Sequence, residues 1–133
     1  MPVVKLVVGL PQGAVVEDEV VWGVGEDLLV FTPTYLGAST AGTWAMYFDG
    51  SDVGLSGGNE NIDAAAIDSS GKIYLSTSGN FSVPGVAGTD EDVFVFTPTT
   101  LGNTTAGSYS SALFFDGSAF GLSSNDIMAI DLP

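Results

Sequence analysis

The feature that most constrains this chain is that it repeats itself. Residues 26–56 read EDLLVFTPTYLGASTAGTWAMYFDGSDVGLS, and residues 91–123 read EDVFVFTPTTLGNTTAGSYSSALFFDGSAFGLS. With Ser110-Ser111 set aside as an insertion in the second copy, about 20 of 31 aligned positions are identical. A further stretch recurs: Asp63-Ala-Ala-Ala-Ile-Asp68 returns as Asp126-Ile-Met-Ala-Ile-Asp131. Self-similarity at this spacing marks a unit that stacks on copies of itself, because no unit alone buries its apolar face.

Apolar runs between turn signals place the strands of one unit. Ala64 to Ile67 is the first run, and the turn Asp68-Ser-Ser-Gly71 leads into Lys72 to Thr77. A Gly/Ser/Pro-rich stretch, Ser78 to Asp90, precedes Val93 to Thr97; Pro98 to Gly107 then links to a fourth strand, Tyr109 to Phe115. That order is a β-meander. The earlier copy supplies Leu28 to Thr32 and Trp44 to Phe48 as its last two strands. Ahead of them, Val3 to Val8 and Val15 to Trp22 flank Leu10-Pro-Gln-Gly13 and read as a hairpin that does not match the repeat, so the first copy is divergent there. Thr-Pro-Thr at 32–34 and 97–99 reads as a strand terminator, since proline lacks the ladder donor. No segment carries a helical apolar period, so the fold is all-β.

The runs Leu28-Leu29-Val30-Phe31, Val93-Phe94-Val95-Phe96 and Ala112-Leu113-Phe114-Phe115 do not alternate with polar residues. A sandwich strand with one wet face would alternate. Strands apolar on both faces belong to sheets covered on both faces, as the blades of a propeller are.

Composition narrows the function classes. The 133 residues carry 16 acids, two lysines (Lys5 and Lys72), no His and no Cys, for a net charge of −14. Two cations cannot neutralise a phosphate track, which excludes nucleic acid as a partner. Ser–His and Cys–His nucleophiles and thiolate zinc sites are excluded with the missing residues. Yet 45% of the chain is hydrophobic and mean hydropathy is +0.37, so this acidic chain is built to fold rather than to stay disordered. The N-terminal apolar run, broken by Gly9 and Pro11, is too short for a membrane span and lacks the layout of a signal peptide. The absence of cysteine fits a bacterial secreted or surface protein and a cytosolic one alike, with the extracellular location favoured for a natural protein. Asn80-Phe-Ser82 and Asn103-Thr-Thr105 match the glycosylation sequon and read as turn residues.

The pattern Asp63-Ala-Ala-Ala-Ile-Asp68-Ser-Ser-Gly71-Lys-Ile-Tyr-Leu-Ser76, followed by Phe-Thr-Pro-Thr and Phe-Asp-Gly-Ser, resembles repeats of large bacterial secreted proteins of unassigned function. Its opening is also similar to blade openings in several β-propeller families, and the likeness covers residues 26–133. The resemblance implies a blade and leaves activity open, because such families span enzymes, lectins and scaffolds. Propellers close with about four to eight blades. Two repeats do not close one, so the exposed blade faces need a cover. The expectation is therefore an all-β domain, 1–133, of two four-stranded antiparallel meanders: a divergent blade at 1–60, a second at 61–123, and a closing strand at 124–133. That closing strand completes the sheet of the first blade, in its own chain or in the next subunit. The partner is a second copy of the chain, with three or four chains giving six or eight blades, or a filament where the rotation does not close.

Chemical candidates are few. Asp49-Gly-Ser-Asp52 with Glu60, and Asp116-Gly-Ser with Asp126, place oxygen ligands at matching sites in both copies, the kind that Ca²⁺ takes. EF-hand spacing is absent, and the competing reading is that these are hairpin turn residues. Glu17-Asp18-Glu19 and Glu26-Asp27 read as solvated strand ends. Trp44 and Tyr109 occupy corresponding positions and are candidates for stacking a sugar, against the reading that they are core; Trp22, Tyr35, Tyr47 and Tyr74 are further aromatics of the same kind. No pair of carboxylates is placed for glycoside hydrolysis. The reading is a non-catalytic, self-assembling structural protein without a cofactor; the alternative is a carbohydrate- or calcium-binding module of a surface or secreted protein.

Overall fold

A computed structural model describes residues 25–133 in full and, before them, the backbone of 6–9, 15–16 and 21–22. The strands are β1 (Leu6–Gly9), β2 (Val15–Val16), β3 (Val21–Trp22), β4 (Leu28–Tyr35), β5 (Ala41–Phe48), β6 (Ile62–Ile67), β7 (Ile73–Thr77), β8 (Phe81–Val83), β9 (Val86–Gly88), β10 (Phe94–Thr100) and β11 (Ala106–Tyr109). Every strand pairing is antiparallel, and the described residues contain no α-helix, only three short 3-10 turns. The all-β fold stands.

The second repeat forms a four-stranded sheet in the order β11-β10-β7-β6. Asp68 closes the β6–β7 turn: its Oδ1 accepts from the N–H of Ser70 at 2.9 Å and of Lys72 at 3.0 Å. Gly71 supplies the left-handed φ of +91° that the turn requires. The Ser78–Asp90 stretch, expected to be a loop, instead folds the hairpin β8–β9 around Pro84-Gly85. Phe81 and Val83 point from it into the core, where Phe81 stacks on Phe94 with centroids 4.0 Å apart.

The fourth strand departs from expectation. β11 ends at Tyr109, and Ser110-Ser111 loop out, so Ala112 to Phe114 lie outside any strand. Pairing resumes at the single bridge Val93↔Phe115, the counterpart of Leu28↔Phe48 in the first repeat. The insertion is absorbed as a local excursion, and Phe114 beyond it meets Tyr74 edge-on at 4.9 Å while staying 57% exposed. Thr-Pro-Thr does not end its strands either. β4 and β10 run through Pro33 and Pro98, which face Gly42 and Gly107, with a register shift just beyond each proline.

Among the described residues the sheet of the first repeat has three strands, β1-β4-β5, where four were expected. β1 does not form a hairpin with the Val15–Trp22 region; it pairs with β4, while β2 and β3 pair with each other. The closing strand expected at 124–133 belongs to no sheet.

The two sheets pack face to face. Leu28, Phe48 and Leu55 of the first repeat join Ile73, Leu75, Phe94 and Phe96 of the second in one cluster. Phe48 meets Phe96 edge-on at 5.2 Å, the geometry that aromatic quadrupoles favour. Val93 to Phe96 are all buried, as a strand covered on both faces requires.

Candidate functional site

The repeated acids build the structure locally. Asp49 and Asp116 each cap a 3-10 turn, Gly50–Val53 and Gly117–Phe120. In each, Oδ1 accepts from the serine two residues on, at 3.1 Å from its N–H and 2.6 Å from its hydroxyl. The Ser118 hydroxyl and N–H thereby hold the Asp116 carboxyl below its usual range. The next glycine donates to a buried carboxylate: Gly50 to Asp27 at 3.0 Å and Gly117 to Asp92 at 3.1 Å. No Cβ fits at either glycine, because each presses on a backbone carbonyl, of Glu26 or Glu91. Glu26-Asp27 is therefore not a solvated strand end: Asp27 is 3% exposed. Glu17-Asp18-Glu19 lies outside the described residues.

The four aspartates nominated for calcium are not brought together. Asp49 and Asp116 hold their own turns. Asp52 Oδ2 accepts from the Thr105 N–H at 2.8 Å, and Asp126 lies beside Asp63. Glu60 is committed as well, accepting from Ser56, Gly57 and Ser82 at 2.8–3.0 Å. Burial works against its charge, and those three N–H groups outweigh it and lower the pKa. Among the described residues no three His, Cys, Asp or Glu side chains are placed to hold a metal ion.

Trp44 and Tyr109 sit in different sheets, each against the phenylalanine of its own repeat, Phe31 at 5.0 Å and Phe96 at 5.0 Å. Tyr109 is a core residue; its hydroxyl is buried without a hydrogen-bond partner among the described residues, and burial raises its pKa. The side chain of Trp22 lies outside the described residues. A cleft of about 370 Å³ runs along the seam between repeats, lined by Asp52, Val53, Pro84, Thr105, Ser108 and Tyr109. Of its polar side chains, Asp52 and Thr105 are engaged in holding the seam closed.

That seam is the site the chain repeats. The end of β5 forms a parallel bridge, Phe48↔Gly102, with the Gly102 N–H donating to the Tyr47 carbonyl at 2.9 Å. Asp49 N–H donates to Thr105 Oγ1 at 2.9 Å. Thr105 Oγ1 in turn donates to the Gly102 carbonyl at 2.9 Å, folding the link into a hook. The first repeat carries the same hook, Thr40 to Gly37 at 2.6 Å, but there Tyr35 and Leu36 are 65% and 58% exposed. At the opposite end, Phe114 and Phe120 are 57% and 75% exposed at positions matching Tyr47 and Val53, which pack on the core.

One further pair stands apart. Asp63 on β6 has both carboxyl oxygens buried without a hydrogen bond of good geometry among the described residues. Burial, then the neighbouring Asp126 carboxyl, push its pKa up to about 7. Neither sequence position pointed to a carboxyl pair, because the two acids belong to matching stretches read as strands.

Comparison with protein-family models, with curated proteins and with solved structures found no match to this chain.

Proposed function

We propose that this chain is a non-catalytic structural protein whose function is self-association, its repeats serving as propeller-like blades in a ring or filament. The observation that carries this reading is the face-to-face packing of the two sheets, with Leu28, Phe48 and Leu55 of one blade buried against Phe94 and Phe96 of the next. Each repeat draws its cover from a neighbour, and Tyr35 and Leu36 on one side and Phe114 and Phe120 on the other stay exposed. Three or four chains supply the six or eight blades that close; a rotation that does not close makes a filament. The acids at repeated sites are occupied with backbone N–H groups, which supports a structural role for them.

Sedimentation velocity or light scattering across a dilution series tests this. The expected result is a species of three or four chains of 13.6 kDa, or larger, at high concentration. Added salt should strengthen association, because it screens repulsion between chains of charge −14. A monomer at every concentration and salt refutes the reading.

A further inference from the structure

The first sheet matches the last three strands of the second, residue for residue. β1 meets β4 through Leu6↔Phe31 and Val8↔Leu29, as β7 meets β10 through Ile73↔Phe96 and Leu75↔Phe94. The sequence agrees once aligned this way: Lys5-Leu-Val-Val answers Lys72-Ile-Tyr-Leu. The small hairpin β2–β3 falls between β1 and β4 as β8–β9 falls between β7 and β10. Among the described residues the first repeat is thus a blade without a counterpart of β6. Among the described residues β1 pairs only with β4, and no described strand is hydrogen-bonded along its other edge, although β6 passes near it.

The missing sequence exists elsewhere. Asp126-Ile-Met-Ala-Ile-Asp131 has the pattern of β6, and it belongs to no sheet. Its start is held on the second repeat as the start of β6 is held on the first, two residues out of step with the sequence match: the Ile127 N–H donates to the Asp90 carbonyl at 3.1 Å, as the Ile62 N–H donates to the Gly25 carbonyl at 2.9 Å. The Ser76 hydroxyl also reaches the Ile127 carbonyl at 3.3 Å. These contacts hold the start of the segment on the second repeat.

We infer that residues 126–131 of one chain add as the fourth strand to the β1 edge of a second copy, while Phe115, Phe120 and Leu122 pack on that copy's Phe31, Leu36 and Trp44. This deepens the self-association reading and rests on it. The joint repeats the internal seam: Phe115 takes the place of Phe48, Leu122 of Leu55, and Phe31 of Phe96. An open strand edge is a template for an added strand. The joint lacks one bond of its template, since Ala119 stands where Asp52 accepts from Thr105.

The test is a pair of variants, each broken at one end. In β6, Asp68 donates to the Lys72 carbonyl, so the pair two residues back, Ala66↔Tyr74, also exchanges hydrogen bonds. Ala129 matches Ala66, and Ala129→Pro removes that donor from the tail. Leu36→Asp puts a charge on the head at an exposed site. Each variant alone should associate at least tenfold more weakly than wild type, with the melting profile of the dilute monomer unchanged. A one-to-one mixture should form a dimer, because the intact tail of one meets the intact head of the other. If Ala129→Pro disturbs folding, Phe120→Asp, at a site 75% exposed, replaces it as the tail variant. Wild-type assembly with unimpaired variants, or with a mixture that stays monomeric, overturns the joint and leaves self-association standing. A monomeric wild type removes both.

Discussion

Leu55 and Leu122 hold the same place in the two repeats, and so do Phe96 and Phe31. Leu55 and Phe96 are both 0% exposed, whereas Leu122 and Phe31 are only half-buried. The local structure around each member of a pair is nearly the same. The 3-10 turns, their aspartate caps and the Gly50–Asp27 and Gly117–Asp92 bonds agree to within 0.1 Å. Burial is what differs. Leu55 and Phe96 lie on the faces that meet between repeats, and Leu122 and Phe31 on the faces turned outward. The hydrogen bonds that shape these turns are therefore a property of the copy, while hydrophobic burial and the bonds of the seam depend on its neighbour.

The largest break in that comparison comes from truncating its buried and open members. Phe96→Ala should cost about 3–5 kcal/mol, through lost transfer energy and the cavity left behind. Phe31→Ala in the monomer should cost roughly 1–2 kcal/mol, since less apolar area is withdrawn from water. Chemical unfolding of dilute protein measures both. Equal losses would mean that the two faces are not differently covered.

A smaller effect sharpens the picture at Asp63. Its pKa stands at about 7 in the fold against an ordinary 3.8, so the folded state binds this proton more tightly than the unfolded state. The stabilisation is complete below the unfolded value and is lost as pH rises toward 7. Lowering the pH from 8 to 5 should therefore raise the melting temperature of wild type. Discounted for partial exposure, the gain is on the order of 1 kcal/mol. Asp63→Asn, neutral throughout, should show a flatter profile over that window. Parallel profiles would place the pH dependence in the rest of the acidic surface.

Much of the second repeat was legible in sequence, because Val93 to Phe96 and Ile73 to Leu75 are unbroken apolar runs and Asp68-Ser-Ser-Gly71 is an unambiguous turn. The run Ala112 to Phe115 misled: Ser110-Ser111 lifts it out of the sheet, and apolar composition does not show where a ladder is interrupted. The hairpin β8–β9 was hidden in small residues, although Pro84-Gly85 between Val83 and Val86 is a turn signal. The kinship of β1 with β7 was obscured for a different reason. Register is set by backbone pairing, so Leu6-Val7-Val8 can replace Ile73-Tyr74-Leu75 with little identity. The burial of Asp27 and Asp92 left no mark at all, because each carboxylate is met by a backbone N–H 23 or 25 residues away. The candidate site was half visible: the need for a cover followed from the repeat, but the seam of Phe48, Gly102 and Thr105 follows only from the packing.

Amide hydrogen exchange at residues 6–9 and 126–131, measured at high concentration and again after dilution, reports whether the tail of one chain pairs with the first sheet of another. The two segments should be protected together when concentrated and released together when diluted, while Val93 to Phe96 stay protected throughout. Fast exchange of both segments at every concentration, or protection of 126–131 that survives dilution to the monomer, would contradict this pairing.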